Sequence, residues 1–387
     1  MCGPRALWLR RILALVTVGA LLGACGNASA TSGSKKNPAP DELRTATLLT
    51  PTTGWLLTTN RLLTTFDSGN RWVDVTPSRG GGNLETAFFL NQKLAWAVVQ
   101  SPNPDWASNY SSSLDLYRSS DGGRHWVMRH TGATTPVDTR GPVYLVFIDS
   151  RHGWMLVDQG SHAGFMYYKG FRTGDGGESW TAAAFPESGP ILFINELDGF
   201  ISGMKGSFVT HDGGKSWQRP PIQTATDAQV SPVFELPVFS DDRHGVMLGR
   251  IADPTGGDVG EIFYATSDAG RSWDHLSTVA NPIVSSSAGL GGVSSSSDWL
   301  AGFLESAPPP VTTSTRFELT RDGGRTWEWA PTSFSGALRA PISFAGSTGW
   351  GIFSRSGCRG FKTDCFMYNE LFQTDDRGLH WRQLSIR

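Results

Sequence analysis

Seven octets decide how this chain is read: TFDSGNRW (65–72), SSDGGRHW (119–126), TGDGGESW (173–180), THDGGKSW (210–217), TSDAGRSW (266–273), TRDGGRTW (320–327) and TDDRGLHW (374–381). Each has Ser or Thr first, Asp third, Gly fifth and Trp eighth. The aspartates are Asp67, Asp121, Asp175, Asp212, Asp268, Asp322 and Asp376, spaced 54, 54, 37, 56, 54 and 54 apart. The tryptophans are Trp72, Trp126, Trp180, Trp217, Trp273, Trp327 and Trp381. Four fixed positions in seven copies make a repeat, and a repeat of this length signals a modular architecture.

A second signature precedes each octet: TGWLLT (53–58), LAWAVV (94–99), HGWMLV (152–157), DGFISG (198–203), HGVMLG (244–249), SDWLAG (297–302) and TGWGIF (348–353). Five copies place Trp in the same slot, and Phe200 and Val246 stand there in the other two. Together the signatures absorb twelve of the fifteen tryptophans and leave Trp8, Trp106 and Trp329.

Between these marks the chain reads as short apolar or alternating runs bounded by Gly, Pro, Asp and Ser, which are strand signals. In the first unit, 45–49, 55–58, 61–65 and 72–76 parse as strands A, B, C and D, and the other units repeat the order. No long run has helical period. Residues 43–387 divide into seven units of about 49 residues, the size of one propeller blade. The expected fold is therefore all-β, a seven-bladed β-propeller of four-stranded antiparallel blades.

The octet has a physical logic. Asp accepts a backbone N–H two residues on, Gly supplies a positive φ, and the first hydroxyl satisfies another turn amide. The Trp then opens strand D and wedges between sheets. Burying it is worth roughly 4–6 kcal/mol as an upper bound, against about 1 kcal/mol for the Asp, by analogy with a helix cap. On this reading the octet Trp sets stability.

Composition agrees. Charged residues are 18% of the chain, Gly reaches 46, and fifteen Trp against seven Tyr calls for a structural cause. The net charge is −2. Without the N-terminal segment, which carries Arg5, Arg10 and Arg11 and no acid, 30 basic residues face 35 acidic ones, a net of −5. That weighs against nucleic acid, which requires a basic stripe, and against a polybasic grip on lipid headgroups.

The N-terminus reads as an export signal. Its three arginines precede an apolar run of eleven residues, Ile12 to Leu22, too short to span a bilayer comfortably. Leu22-Gly23-Ala24-Cys25 then resembles the lipobox of bacterial lipoproteins. The resemblance implies cleavage before Cys25, a diacylglycerol on its thiol, and anchoring to the outer side of the cell membrane. The alternative is an ordinary secretory peptide cut in the Ala-rich stretch that follows. The expected organisation is a signal peptide over 1–24, a lipidated Cys and flexible linker over 25–42, and the propeller over 43–387. Cys358 and Cys365, with six residues between them, read in an oxidising compartment as a disulfide pinning a loop. A metal pair would need further ligands, and only His380 of the last repeat stands as a candidate.

The octets resemble the Asp-box (BNR) repeat, S/T-x-D-x-G-x-S/T-W, of sialidases, sortilin-type receptors and some glycoside hydrolases. Arg71, His125 and His380 depart from it at position 7. The paired unit, G-W followed by T-x-D-G-G-x-x-W, is similar to the photosystem II stability/assembly-factor propellers and their non-photosynthetic bacterial relatives, over all of the chain after the linker. In these families the box is structural, so the resemblance implies a fold and no active residues.

If the octet turn joins strands C and D, the A–B turns share its face and the B–C and D–A loops lie opposite. The octet turn is uniform, whereas the B–C loops are short in units one and four and long at 100–113, 250–261, 304–314 and 354–369. Uneven loops on one face of a repeat array mark a binding side. Its candidates are Trp106, Tyr110, Arg355, Arg359 and Lys362, with Asp105, Asp253, Asp258, Glu305 and Asp364. An exposed Trp106 suits carbohydrate or protein contact, although packing under its own loop is equally open to it.

No phosphate loop, H-E-x-x-H, G-x-S-x-G or Cys/His cluster occurs. Phe171-Arg172-Thr173 leads into an octet and is not the F-R-I-P element of sialidases. Glycoside hydrolases built from two propellers need more chain than this. Arg151-His152-Gly153 and Arg243-His244-Gly245 fall at A–B turns, and turn chemistry accounts for them. The expectation is thus a monomeric, non-catalytic scaffold for a protein or extracellular polymer, without cofactor or metal. The alternative is a sialidase-like or other glycoside hydrolase, its acid and base among Asp253, Asp258 and Glu305.

Overall fold

A computed structural model describes residues 41–387 except 79–81, 102–110, 137–140, 163–164, 204, 223–232, 253–257, 281–287, 296, 306–313, 340, 360–363 and 387. The signal and most of the linker lie outside the described residues. What remains is a seven-bladed β-propeller of antiparallel blades, with no helix among the described residues.

Blade 1 runs in the expected order, Leu43–Leu48, Gly54–Thr58, Leu62–Thr65 and Val73–Asp74. The others follow it with two local departures. Strand A is split in blade 5 (Val233–Phe234, Val238–Phe239) and in blade 7 (Ala337–Leu338, Ser343–Ala345). Strand D of blade 4 shrinks to a single bridge, Val209 to Gln218, in the unit with the shortest spacing.

Each blade is apolar on both faces, so it must bury both against neighbours. The core is accordingly seven separate clusters, one per seam. Trp55, Leu57, Leu84 and Phe89 join blades 1 and 2, and Trp154, Leu156, Phe193 and Ile201 join blades 3 and 4. Leu43, Leu56, Trp350 and Ile352 join blade 7 to blade 1 in the same way. The ring closes without strand exchange. Residues 43–48 stay in blade 1, and the Leu48 N–H donates to Ser343 Oγ of blade 7 at 3.0 Å.

One expectation about this core is corrected. The octet Trp precedes strand D by one residue and is only half-buried in six copies, Trp273 alone being fully enclosed. The strand B tryptophans Trp55, Trp96, Trp154, Trp299 and Trp350 are the buried ones. For Trp55, Trp96 and Trp154 the stacking partner is a Phe that sequence reasoning missed. Trp96 stacks on Phe147 of blade 3 at 3.8 Å and 5°, and Trp154 on Phe193 of blade 4 at 3.7 Å and 2°. Each Phe ends its own strand A beside the Gly that precedes the Trp slot. A Cβ on Gly153 would lie 2.5 Å from the Phe147 ring, and one on Gly199 2.4 Å from that of Phe193. The glycine of the G-W pair is therefore required by a ring lying over it.

Candidate functional site

The octet turns form one face of the ring, and their hydrogen bonds repeat in all seven copies. The first hydroxyl donates to the Asp carboxylate at 2.7–2.9 Å and accepts the Gly N–H four residues on at 2.8–3.1 Å. The Asp accepts the N–H at position 7, four residues ahead and not two, at 2.9 Å. The N–H at position 4 donates to a carbonyl of the A–B turn of its own blade in every copy, as from Gly176 to Arg151 at 2.7 Å. The A–B and C–D turns thus share this face.

Position 7 explains its own variation. Ser179 Oγ donates to Asp175 at 2.6 Å, and in two departing copies His125 and His380 place Nδ1 on Asp121 and Asp376 at the same 2.6 Å. These donors hold the carboxylates below their ordinary range. The Ser179 hydroxyl leads in bringing Asp175 to about 2, and the Thr326 hydroxyl does so for Asp322. For Asp268 burial pulls upward, and the Ser272 hydroxyl and N–H outweigh it to leave about 2. An acid with both oxygens engaged by its own turn is a structural clamp.

The Arg-His-Gly turns are also clamps. His152 N–H and Nδ1 meet Asp149 at 2.7 and 2.8 Å, and His244 N–H and Nδ1 meet Asp241 at 2.7 and 2.9 Å. Glu196 comes within 3.3 Å of His152 Nδ1, completing a His and two carboxylates spaced for a cation. Both turn aspartates are held below the ordinary range, Asp149 by the His152 ring and turn amides against a burial cost, Asp241 by the His244 N–H first.

The opposite face is uneven, and where its loops are described they continue strands B and C. Strand B has 5, 7, 10, 5, 8, 7 and 12 residues in blades 1 to 7, and strand C has 4, 9, 9, 5, 9, 7 and 11. Blades 1 and 4 stop at short turns and the other five continue as hairpins. Blade 3 (Gly153–His162 and Phe165–Thr173) belongs with the tall ones, which the loop reading overlooked.

Blade 7 carries the longest hairpin, Thr348–Arg359 with Asp364–Thr374, so 354–369 is largely strand and not a free loop. Its register sets Cys358 directly opposite Cys365 and Arg359 opposite Asp364. Arg355 is not free to bind: its Nε lies 3.1 Å from Glu370 Oε2, and its guanidinium covers the Phe372 ring at 5.3 Å. Trp106, Tyr110, Lys362, Asp105 and Asp253 lie outside the described residues. Asp258 and Glu305 are placed by backbone only, at the start of strand C in blade 5 and the end of strand B in blade 6. Two exposed aromatics went unnoticed, Tyr167 on the blade 3 hairpin and Tyr368 on the blade 7 hairpin. Their signal was a Tyr in a strand too far from the octet to belong to the blade core.

Asp158 and Glu187 are two of the acids buried among the described residues, with Asp115, Asp198, Glu261 and Glu318. Asp158 accepts from Ser188 Oγ and from the Gly160 N–H, both at 2.6 Å. Glu187 accepts the Lys205 N–H at 2.8 Å, and burial pushes its carboxyl up. Both fasten the D–A connection to neighbouring strands. Among the described residues, the innermost strands and the D–A connections carry three arginines, Arg44, Arg219 and Arg339. Arg44 is spent on the Leu84 and Glu85 carbonyls at 2.9 and 2.8 Å.

Fold and faces together define a single-ring propeller with one uniform and one uneven face. No family model matches the sequence, and no curated protein does. Solved structures with a similar course include YCF48 from Cyanidioschyzon merolae, at 16% identity and TM-score 0.48 over 81% of this chain and 94% of that one. An ancestral GH74 enzyme is 14% identical with TM-score 0.47, over 91% of this chain, which spans only 46% of that enzyme. A PL25 ulvan lyase is 10% identical with TM-score 0.47, over 76% and 80%. At these identities and scores the likeness carries nothing beyond the fold.

Proposed function

We propose that this chain is an exported, lipid-anchored, non-catalytic scaffold that presents its B–C hairpin face to a protein or extracellular polymer. We read its octets as Asp boxes and the chain as akin to assembly-factor propellers. The carrying observation is the unevenness of that face on an otherwise repetitive ring. Extra strand length beyond the blade core costs backbone entropy, and although Ile251 and Asn369 reach neighbouring blades, its variation from blade to blade is not matched by any variation in ring closure, so it answers to something outside the ring.

The pattern also has a shape. Blades 1 and 4 are three places apart one way round and four the other, nearly across the ring. Their short turns interrupt the raised rim twice, leaving a passage between the blade 2–3 and blade 5–7 hairpins. A cleft of about 410 Å³ lies at the blade 1 gap, lined by Asp41, Arg61, Asn369 and Gln383. Tyr167 and Tyr368 stand on the two walls, one exposed aromatic each, which suits stacking on a polymer or packing on a protein.

The same reading makes Cys358–Cys365 a cross-strand disulfide of the blade 7 hairpin, in place of a loop pin, and Cys25 the lipid attachment. Hairpin truncation tests the function. The full chain isolated from its own membrane is expected to carry a partner, and chains with the blade 3 or blade 7 hairpin cut to the blade 4 length are expected to lose it. Recovery of the same partner by both truncated chains refutes the assignment of the face. The glycosidase alternative is tested alongside with fluorogenic glycosides, where turnover abolished by Asp258→Asn or Glu305→Gln would replace the scaffold reading.

A further inference from the structure

The seam between blades 5 and 6 departs from the four before it in two independent ways. At the four preceding seams the strand B slot and the end of the next strand A supply facing rings: Trp55 and Phe89 at 5.4 Å, Trp96 and Phe147 at 3.8 Å, Trp154 and Phe193 at 3.7 Å, Phe200 and Phe239 at 5.1 Å. At this seam the same positions are Val246 and Val293. Neither position carries a ring, and the Trp299 indole of blade 6 turns into this seam beside Trp327. A cleft of about 310 Å³ opens there on the octet face, floored by Val238, Val246, Leu276, Val293 and Trp299.

The second break is electrostatic. One seam earlier, Arg271 anchors Nη1 on the Asp268 carbonyl at 3.1 Å and turns Nη2 to the Asp198 carboxylate at 3.0 Å. In blade 6, Arg325 occupies the same octet position and anchors Nη1 on the Asp322 carbonyl at the same 3.1 Å. The residue in the place of Asp198 is His244, since Asp198-Gly199-Phe200 aligns with His244-Gly245-Val246. His244 Nδ1 is already committed to Asp241. The Asp322 carboxylate is occupied by Thr320, Thr326 and two backbone N–H groups. Among the described residues, the outer edge of the Arg325 guanidinium therefore meets no acid, and it lines the rim of an apolar cleft. The seam between blades 3 and 4 also has His for Asp, but there the rings are present and Glu196 supplies an acid.

We infer that this seam is a binding site for a small carboxylate with one flat apolar group: the ring lies on the apolar floor formed by Val246, Val293 and Trp299, and the carboxylate meets Arg325. The volume stands at the lower end of small-molecule sites, which sets the ligand at one or two rings. A planar guanidinium pairs best with a planar carboxylate. The site lies on the face opposite the hairpins and does not depend on the scaffold reading.

The test is a titration of the full chain, labelled at valine methyls, with indole-3-acetate and with neutral 3-methylindole, followed by NMR. Indole-3-acetate is expected to shift the Val246 and Val293 methyls saturably, with about tenfold greater affinity than 3-methylindole. Arg325→Gln should erase that advantage and leave 3-methylindole unchanged. Val246→Trp, which restores the missing ring, should abolish binding of both. Val293→Phe serves the same purpose should that variant fail to fold. No shift at these methyls, equal affinities for the two probes, or retained binding in a folded ring-restored variant overturns the inference.

Discussion

Cutting Trp96 back to alanine would remove a fully buried indole from the seam between blades 2 and 3. It would also remove the stack on Phe147 and the hydrogen bond that Nε1 donates to Gly176 O at 2.9 Å. Truncating a buried Trp costs about 3–5 kcal/mol. The stack is worth roughly 1 kcal/mol, and the orphaned buried carbonyl adds a similar penalty, so about 5 kcal/mol is expected. With unfolding entropy near 2.1 cal/mol/K per residue over roughly 345 residues, each kcal/mol moves Tm by about 1.4 °C, giving a drop of about 7 °C. Trp126→Ala is the comparison. Its indole is only half-buried, although Nε1 donates across the seam to Val75 O at 2.7 Å. About 2 kcal/mol and 3 °C are expected there. Scanning calorimetry on both variants decides the order. A Tm loss for Trp126→Ala equal to or above that for Trp96→Ala would refute the argument that the strand B indole holds the seams.

Further outcomes concern the turns. Because Asp175 sits at about 2 in the fold against 3.8 otherwise, its contribution is complete above about pH 4 and lost as pH falls toward 2. Ser179→Ala removes the leading donor, so the variant should lose Tm at neutral pH and converge on the parent as pH falls toward 2, and a Tm deficit that stays the same across that range would contradict this. Ala269 is held at φ 65, and Ala269→Gly should raise stability by about 0.5–1 kcal/mol in thermal melts despite the added chain freedom. Gly153→Ala, whose new methyl would meet the Phe147 ring, should cost about 1–3 kcal/mol. Gly174→Ala, with nothing within 4 Å of its new atom, should stay within about 0.5 kcal/mol of the parent by the same assay.

The blade count and strand order were legible because the octet is a local turn whose residues name its hydrogen bonds. Depth was not. Whether Trp126 or Trp96 is the more enclosed depends on the neighbouring blade, and no spacing within one unit reveals it. The Phe at the end of strand A was in plain view. Phe89, Phe147, Phe193 and Phe239 each stand seven residues before the strand B slot, yet without the stacking partner they read as ordinary strand residues. The blade 3 hairpin escaped although Asp158, Gly160, Ser161 and Gly164 mark its turn region. The departures at His125 and His380 looked like weakened boxes until the imidazole was seen in the hydroxyl's place. Arg355 looked available because nothing local shows that Glu370, paired across the hairpin, neutralises it.

The most direct measurement is site-specific photocrosslinking in the native membrane, with the reactive group placed in turn at Tyr167, Tyr368, Arg124 and Lys215. The first two stand on hairpins of the uneven face, and the last two in octets of the uniform one. Capture of one common species from Tyr167 and Tyr368, and not from Arg124 or Lys215, is the predicted result. Capture from the octet positions alone, or equally from all four, would contradict the claim that the hairpin face is where this ring engages its partner.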